Sequence, residues 1–318
     1  MKDYIAGVGA ANIDISGRSF QPIIMRDSNP GRMHISAGGV TRNILENAAR
    51  LGARPFLLSL VGNDAYGRHI LEHSSAAGID VSRVRILNDH SSSSYLNILG
   101  ADGDMVLALS DMDIMKKMDV AYLQENKELL RGAKLIVTDP SIPPEVMDGL
   151  LQDYGKEVPV YLDPVSCAYA EVIKEKIGSF HTIKPNVLET EILSGKTIRS
   201  DKDLEEAADI LLQKGVGRVF VSLGAKGCYY ADREGRKLYS ALRPTEAVNA
   251  TGAGDAFLAA VICATLQGLP PEEILLRANA AGIAAILSPD TINPEISDTM
   301  IGKIIKERNI CPMKSICQ

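Results

Sequence analysis

The chain has 318 residues, of which 46% are hydrophobic and 23% charged, with a formal net charge of −6. This length allows one large or two modest domains with a buried core. The acidic balance argues against nucleic acid as a partner, because a phosphate-tracking surface needs basic residues in excess. No apolar run is long enough to cross a membrane and no signal peptide is visible. The five cysteines lack metal-ligand spacing, so we expect a reduced, cytoplasmic protein without a zinc site.

Short apolar runs alternate with amphipathic segments along most of the chain. The predicted strands cover residues 4–9, 56–61, 135–138, 160–163, 182–184, 219–223 and 227–231. The predicted helices cover residues 40–51, 66–77, 121–132, 144–154, 170–177, 189–194, 203–214, 254–267 and 271–288. This alternation predicts an α/β fold with a mostly parallel sheet between two layers of helices. Ligands bind such sheets beyond the carboxyl ends of the strands.

Two segments, at about residues 13–36 and 92–110, are strand-like and break the alternation. Asp102-Gly103 within the second segment is a hairpin signal. We expect both segments to form a small antiparallel β lid that keeps water away from a reaction site. The predicted domain then spans residues 1–308, followed by a tail of residues 309–318.

Residues 249–257 place a turn of small residues immediately before an apolar helix. Gly252, Ala253 and Gly254 let backbone N–H groups converge, and the helix N-terminus adds its dipole, which predicts an anion hole for phosphate. Asp255 lies at the junction, where it could accept a proton from a hydroxyl that attacks phosphorus. The alternative is an ordinary helix N-terminus with a favourable acidic residue in its first turn.

A second group of residues suits a sugar. Gly38 and Gly39 precede a predicted helix and allow close approach to the backbone, while Asn43 can donate to and accept from hydroxyls. Asn12 and Asp14 follow the first strand, where a carboxylate can bind paired ribose hydroxyls. The alternative for the glycine pair is a turn that caps a helix. The first strand lacks the third glycine of a dinucleotide fingerprint, which excludes a nicotinamide site.

Residues 184–189 end a strand and open a helix. Asn186 and Glu189 are oxygen donors on the first helical turn, as a hydrated Mg²⁺ prefers. The alternative is an N-cap residue with its capping-box Glu, and both interpretations can hold together.

These motifs resemble signatures of the ribokinase (PfkB) family of carbohydrate and nucleoside kinases. Residues 251–256 are similar to Thr-Gly-Ala-Gly-Asp-Ala of its second signature, residues 38–43 to Gly-Gly-x-x-x-Asn, and residues 186–189 to Asn-x-x-Glu. The resemblance extends to about residue 305. It implies a ribokinase-like three-layer α/β/α core, ATP and Mg²⁺ as cofactors, and a small-molecule sugar or nucleoside as substrate. It assigns Asp255 as the catalytic base and Asn186 and Glu189 to Mg²⁺ through water.

The resemblance also implies a nucleotide loop. Ser222, Gly224 and Gly227 are similar to the family's Thr-x-Gly-x-x-Gly element, which binds ATP together with Lys184 and Asn186. Asn279 on the last predicted helix is implied to touch adenine. The alternatives are a tight hairpin between two strands and an exposed helical Asn.

One position departs from the family pattern. Asn249 stands where relatives carry an acid that helps to bind a monovalent cation, a site to which Thr251 also belongs. The side-chain carbonyl of Asn can still coordinate such an ion, but it contributes no negative charge. The resemblance therefore leaves activation by K⁺ open.

Several segments in and around the lid resemble the pseudouridine kinases within this family, namely residues 27–31, Asn43 after Gly38-Gly39, and residues 93–96, 111–112 and 181–186. This implies transfer of phosphate from ATP to the 5′-hydroxyl of pseudouridine. Ser28 and Asn29 could read the N–H and carbonyl groups of the uracil ring, although residues 27–31 also fit a plain turn. The alternatives are a kinase for a free sugar or another nucleoside, and a nucleoside sensor without catalysis. Exposed lid strands favour a homodimer formed through the lid.

Overall fold

The computed structural model describes residues 3–240 and 248–308, and the backbone of residues 312–313. The strands are β1 (Ile5–Val8), β2 (Asn12–Ser19), β3 (Gly31–Gly38), β4 (Pro55–Leu58), β5 (Leu60–Gly62), β6 (Arg85–Leu87), β7 (Ser94–Leu99), β8 (Met105–Asp111), β9 (Ile136–Thr138), β10 (Val160–Leu162), β11 (Thr182–Ile183), β12 (Arg218–Ser222), β13 (Cys228–Asp232), β14 (Lys237–Ser240) and β15 (Pro312–Met313). The α-helices are α1 (Val40–Arg50), α2 (Ala65–Ala76), α3 (Val120–Glu125), α4 (Lys127–Gly132), α5 (Pro144–Asp153), α6 (Cys167–Ile173), α7 (Val187–Ser194), α8 (Asp201–Lys214), α9 (Ala253–Leu266), α10 (Pro271–Ile286) and α11 (Asp298–Arg308).

The main sheet has the strand order β15-β14-β13-β12-β11-β10-β9-β1-β4. The six strands from β12 to β4 are parallel, and β12 to β15 pair in antiparallel fashion. The central strands β1, β9 and β10 are short, apolar and buried at every position, as expected for parallel strands covered on both faces. The predicted α/β fold with a mostly parallel sheet is confirmed.

Two apolar cores lie on opposite faces of this sheet. One contains buried residues of α1, α9, α10 and α11, with Ile44 and Leu258 fully buried. The other contains buried residues of α3, α5, α7 and α8, with Leu150 and Leu211 fully buried. The molecule therefore has the three-layer α/β/α arrangement that the sequence predicted.

A separate four-stranded sheet, which we call the lid sheet, has the order β3-β2-β7-β8. The pairs β2–β3 and β7–β8 are antiparallel hairpins, whereas β2 and β7 are parallel. The lid sheet is thus mixed at its centre, because both hairpins begin with strands that run in the same direction. Alternation along the strands gives it one face with Asp14 and Tyr95 and another with Ile15, Ile35 and Leu96.

Three predicted elements are interrupted or cut short in the structure. The strand at 56–61 breaks after Leu58, because the Ser59 carbonyl accepts from the N–H of Arg85 and β5 pairs with β6 instead. The helix at 121–132 breaks at Asn126, whose side-chain amide donates to the Tyr122 carbonyl at 2.9 Å and ends α3. The helix at 170–177 is α-helical only to Ile173 and continues as a 3₁₀ turn.

Most of the predicted tail, residues 309–311 and 314–318, lies outside the described residues. Helix α11 and strands β6, β14 and β15 had no counterpart in the prediction. Among the helices of the described part of the chain, none has the length and apolar character needed to span a membrane.

Candidate active site

Asp255 lies in the first turn of α9, at the carboxyl edge of the main sheet, and is 9% exposed. The side-chain amide of Asn43 on α1 donates to Asp255 Oδ2 at 3.0 Å, which joins two segments 212 residues apart in sequence. Burial, and then the negative charge of Asp163, raise the pKa of Asp255 to about 7, while Asn43 and Lys184 oppose the shift. A carboxylate with this pKa can exchange a proton near neutral pH.

The turn before α9 has a backbone that requires glycine. Gly252 has φ +81°, and a Cβ at this position would collide with the carbonyl oxygen of Thr291. A Cβ on Gly254 would lie 2.7 Å from the Nζ of Lys184, so the ammonium group sits against the turn. The backbone of Gly252, Ala253 and Gly254 and the cation of Lys184 lie together, and we call this region the anion-binding corner because such groups suit an anion.

Asp255 opens into a cavity of about 380 Å³ beneath the lid sheet. Its walls are formed by the lid sheet, by α1 and by the segments that follow β9 and β10. The lining residues are Ala10, Asn12, Asp14, Gly39, Val40, Asn43, Tyr95, Ser110, Met112, Asp139, Ser141, Val165, Tyr169, Thr251, Gly252, Asp255 and Thr291. The cavity therefore brings the proposed base and the proposed sugar residues together.

On the lid side of the cavity, the Asn12 amide donates to Asp14 Oδ1 at 2.6 Å. A Cβ on Gly38 would collide with the Asp14 carboxylate, so this glycine lets the acid lie against β3. Gly39 has φ +100° and precedes α1, which positions Asn43. Burial raises the pKa of Asp14, and the Asn12 hydrogen bond opposes the shift most strongly.

Lys184 and Asp163 form a buried ion pair at 2.9 Å beside the anion-binding corner. Burial lowers the pKa of Lys184, but Asp163 more than offsets this effect and the pKa is raised overall. Lys184 therefore stays a cation next to the place where phosphate would bind.

Asn186 and Glu189 form a complete capping box at the start of α7. Asn186 Oδ1 accepts from the Glu189 N–H at 2.9 Å, and Glu189 Oε2 accepts from the Asn186 N–H at 2.9 Å. Ser222 pairs with Asn186 in a parallel bridge, and Gly224 and Gly227 follow with φ +59° and +101°. Strands β12 and β13 pair across this loop, so the hairpin alternative holds and brings the loop beside Asn186.

Seven of the predicted site residues line the cavity, namely Asn12, Asp14, Gly39, Asn43, Thr251, Gly252 and Asp255. Ser28, Asn29 and Asn279 are among those that do not. Ser28 and Asn29 lie in an exposed lid loop, where the Asn29 amide donates to the carbonyl of Ile24 at 2.9 Å. Asn279 is buried on α10 and donates to the Ser240 carbonyl at 3.2 Å. Residues 241–247, which follow Ser240, lie outside the described residues.

Asn249 and Thr251 form a turn beside the anion-binding corner. Asn249 Oδ1 accepts from the Thr251 N–H at 2.9 Å, and its Nδ2 donates to the Pro289 carbonyl at 3.1 Å. The side-chain oxygen and the side-chain N–H group of Asn249 therefore both make hydrogen bonds within the protein.

The sequence prediction missed Asp139, Ser141 and Tyr169 in the cavity wall. Asp139 is 1% exposed and accepts from the Thr41 hydroxyl at 2.6 Å and from the Ser141 N–H at 2.8 Å. It directly follows β9 at the carboxyl edge of the sheet, so the strand-end rule could have found it. Among the described residues, no cluster of three His, Cys, Asp or Glu side chains suits a metal ion.

A lid over a cavity with a carboxylate at a glycine-rich helix N-terminus, on a three-layer α/β/α core, defines a ribokinase-like small-molecule kinase. The chain belongs to the pfkB family carbohydrate kinases, whose family model matches residues 2–298. It is therefore a phosphotransferase that acts on an alcohol group of a sugar or nucleoside.

Individual relatives agree with this placement. The chain is 37% identical over 296 residues to the pseudouridine kinase of Escherichia coli (strain K12), which covers 93% of this chain and 94% of the relative. It is 28% identical over 302 residues to the guanosine-inosine kinase of Exiguobacterium acetylicum, with 93% and 99% coverage. The structure of Arabidopsis thaliana ribokinase complexed with ribose and ATP matches with a TM-score of 0.83 at 24% identity, covering 96% of this chain and 99% of that one.

Proposed function

We propose that the protein transfers phosphate from ATP to the 5′-hydroxyl of pseudouridine, which yields pseudouridine 5′-phosphate and ADP. The observation that carries the kinase chemistry is the single cavity that contains Asp255, the glycine turn and Asp14. The similarity to the E. coli pseudouridine kinase supports the substrate.

In the proposed mechanism, Asp14, Asn12 and Asn43 bind the ribose hydroxyls, and Gly38 and Gly39 leave room for the ring. This orientation directs the 5′-oxygen toward Asp255, which accepts its proton as the oxygen attacks phosphorus. With a pKa of about 7, Asp255 is more basic than an ordinary carboxylate and remains partly ionised at neutral pH. The backbone N–H groups of residues 252–254 stabilise charge on the transferring phosphoryl group.

ATP would lie on the other side of the glycine turn, against Lys184, Asn186 and the loop from Ser222 to Gly227. Mg²⁺, when bound, neutralises charge on the phosphate oxygens. The capping box fits this ion through water, because the Glu189 carboxylate has about four acceptor positions and accepts only two hydrogen bonds, from Asn186. Lys184 would hold a distal phosphate at the anion-binding corner.

Asn249 and Thr251, at the predicted site for a monovalent cation, do not fit K⁺ well. The Asn249 amide N–H points at the Pro289 carbonyl, so a donor stands where a cation needs an acceptor. Asn249 Oδ1 is engaged by the Thr251 N–H. We therefore propose that this amide links the two segments directly and that the enzyme works without K⁺.

The uracil ring of the substrate would occupy the outer part of the cavity, among Tyr95, Ser110, Met112 and Tyr169. Tyrosine rings offer faces for stacking a pyrimidine, and the hydroxyls can read its polar edge. Recognition of the uracil ring by Ser28 and Asn29 remains a prediction. It requires their lid loop to move toward the cavity, or the same loop of a second protomer to reach it.

The outer face of the lid sheet supports the homodimer. Met33, Ile35, Leu107 and Leu109 are 61%, 49%, 53% and 60% exposed and form an apolar surface on one side of four paired strands. An apolar surface of this kind usually marks a protein contact. We propose that two lid sheets meet there and that the enzyme works in the cytoplasm, where ATP is available.

The test is an incubation of the protein with Mg-ATP and, separately, pseudouridine, uridine, guanosine, adenosine and ribose, followed by quantification of phosphorylated products. We expect pseudouridine to be used most efficiently. Preference for ribose or a purine nucleoside would keep the Asp255 mechanism and refute the substrate; the guanosine-inosine kinase similarity makes guanosine the second candidate. No product from any acceptor would instead favour a nucleoside sensor.

A further inference from the structure

Val165 has a backbone conformation that β-branched residues rarely adopt. It follows Pro164 in the loop between β10 and α6, and its φ is +68°. The Ser166 N–H donates to the Pro164 carbonyl at 2.7 Å, which closes a three-residue γ-turn around Val165. A γ-turn with positive φ is rare and strained, and a branched side chain makes this residue a clear outlier. Glycine would adopt the same turn without that strain.

Packing in the protein core does not explain a valine at this position. Val165 is 36% exposed and belongs to neither of the two apolar cores. It lines the active-site cavity instead, together with Tyr169 from the same segment. In the described part of the chain, the other non-glycine residue with positive φ is Arg26, which lies in the exposed lid loop. Because strained residues cluster at ligand sites, the side chain of Val165 points to a role in the cavity.

The neighbouring residues hold the turn in place and connect it with the anion-binding corner. Asp163 Oδ1 accepts from the Val165 N–H at 2.9 Å, and Asp163 Oδ2 lies 2.9 Å from Lys184 Nζ. On the other side of the turn, the Ser166 side chain caps α6. A single carboxylate therefore separates the backbone of Val165 from the Lys184 ammonium group. This places Val165 at the part of the cavity where an acceptor hydroxyl would meet a phosphate.

We propose that the Val165 side chain contacts the sugar of the acceptor beside its 5′-carbon. The inference rests on the proposed function, because it takes the acceptor to be a nucleoside or sugar that is phosphorylated at this end. Asp14 and Asn12 bind hydroxyl groups, whereas the valine methyl groups cover C–H groups of the sugar and remove apolar surface from water. The contact helps to hold the 5′-oxygen toward Asp255. The strained turn is the conformation that brings this side chain into the cavity.

Two substitutions separate the backbone strain from the contact with the acceptor. Val165→Gly removes the side chain and suits the positive φ, so its melting temperature should rise by about 2 °C. Val165→Ala removes both methyl groups but keeps a Cβ at positive φ, so it should bring no such rise. Both variants keep the backbone N–H that donates to Asp163. The matched control is Val172→Gly on α6, because Val172 is 60% exposed and is not among the residues that line the cavity.

The experiment measures thermal unfolding, steady-state kinetics with the acceptor that the wild type uses best, and binding of that acceptor by calorimetry without ATP. For both Val165 variants, we expect the KM and the Kd for the acceptor to rise about tenfold, as for the loss of two buried methyl groups. The KM for ATP should stay unchanged. The loss should be the same for two acceptors with different bases, because the contact is to the sugar. Val172→Gly should keep wild-type kinetics and lower the melting temperature, since glycine weakens a helix.

Wild-type acceptor affinity in Val165→Gly and Val165→Ala would overturn the proposed contact. A Val165→Gly protein no more stable than Val165→Ala would overturn the strained turn, and a loss of affinity confined to one base would contradict a contact with the sugar. A wild-type protein that phosphorylates none of the acceptors would refute the proposed function instead. The two failures are therefore distinguishable.

Discussion

The Asp255→Asn substitution separates catalysis from stability at one residue. The amide keeps the size of the side chain and can still accept from Asn43, but it cannot take a proton from the substrate. General-base catalysis typically contributes about 10²–10⁴ in rate, so kcat should fall by at least about a hundredfold, while the Kd for the nucleoside changes little.

The same variant should be more stable than the wild type above neutral pH. Burial raises the pKa of Asp255 from 3.8 to about 7, so folding takes up a proton between these values and wild-type stability falls as pH rises from about 4 to 7. A shift of about 3 units corresponds to about 4 kcal/mol at most. Asp255→Asn removes this loss, so its gain in melting temperature should be larger at pH 8 than at pH 5.

The assays are steady-state kinetics with the best acceptor and thermal unfolding of both proteins across this pH range. Asp298→Asn is the control, because Asp298 also lies in the first turn of a helix but is 53% exposed. It should leave kcat and its pH dependence unchanged. A kcat for Asp255→Asn within tenfold of the wild type, or a stability difference that does not depend on pH, would refute the assignment of a buried base.

Three further changes test other parts of the site. Gly252→Ala should reduce kcat by at least about tenfold and lower the melting temperature, because the new Cβ meets the Thr291 carbonyl at a φ of +81°; wild-type kinetics would contradict the proposed anion-binding turn. Replacing KCl with choline chloride at equal ionic strength should leave activity unchanged in the wild type, and a strong K⁺ requirement would contradict the role of the Asn249 amide. Leu107→Lys combined with Leu109→Lys should yield a monomer by light scattering, whereas an unchanged oligomeric state would exclude the outer lid face as the dimer contact.

Much of the fold could be predicted because its signals are local. Parallel strands such as β9 and β10 read as short apolar runs, and α9 reads as an apolar helix after a glycine turn. The breaks in the predicted elements have different ranges. The end of α3 depends on a local hydrogen bond from the Asn126 side chain, which the helix prediction overlooked. The end of β4 depends on pairing between β5 and β6, which the local sequence does not show.

The candidate site could be predicted where motif residues carry the chemistry themselves. Asp14, Asn43 and Asp255 were identified in this way, and the structure places them in one cavity. Asp139 directly follows a predicted strand and could have been found in the same way. Tyr169 depends on which segments meet at the carboxyl edge of the sheet, which sequence spacing does not specify. The side chain of Asn29 shows the opposite case, because a residue suited to base recognition bonds instead to its own loop.

The packing of α1 against α9 connects stability with catalysis. Both helices are buried along most of their length, and apolar residues such as Ile44 and Leu258 hold them together. The contact between Asn43 and Asp255 lies at the cavity end of this apolar interface, so the core excludes water from one side of the base. Because that exclusion raises the pKa of Asp255, the packing that stabilises the fold also makes the carboxylate basic enough to react.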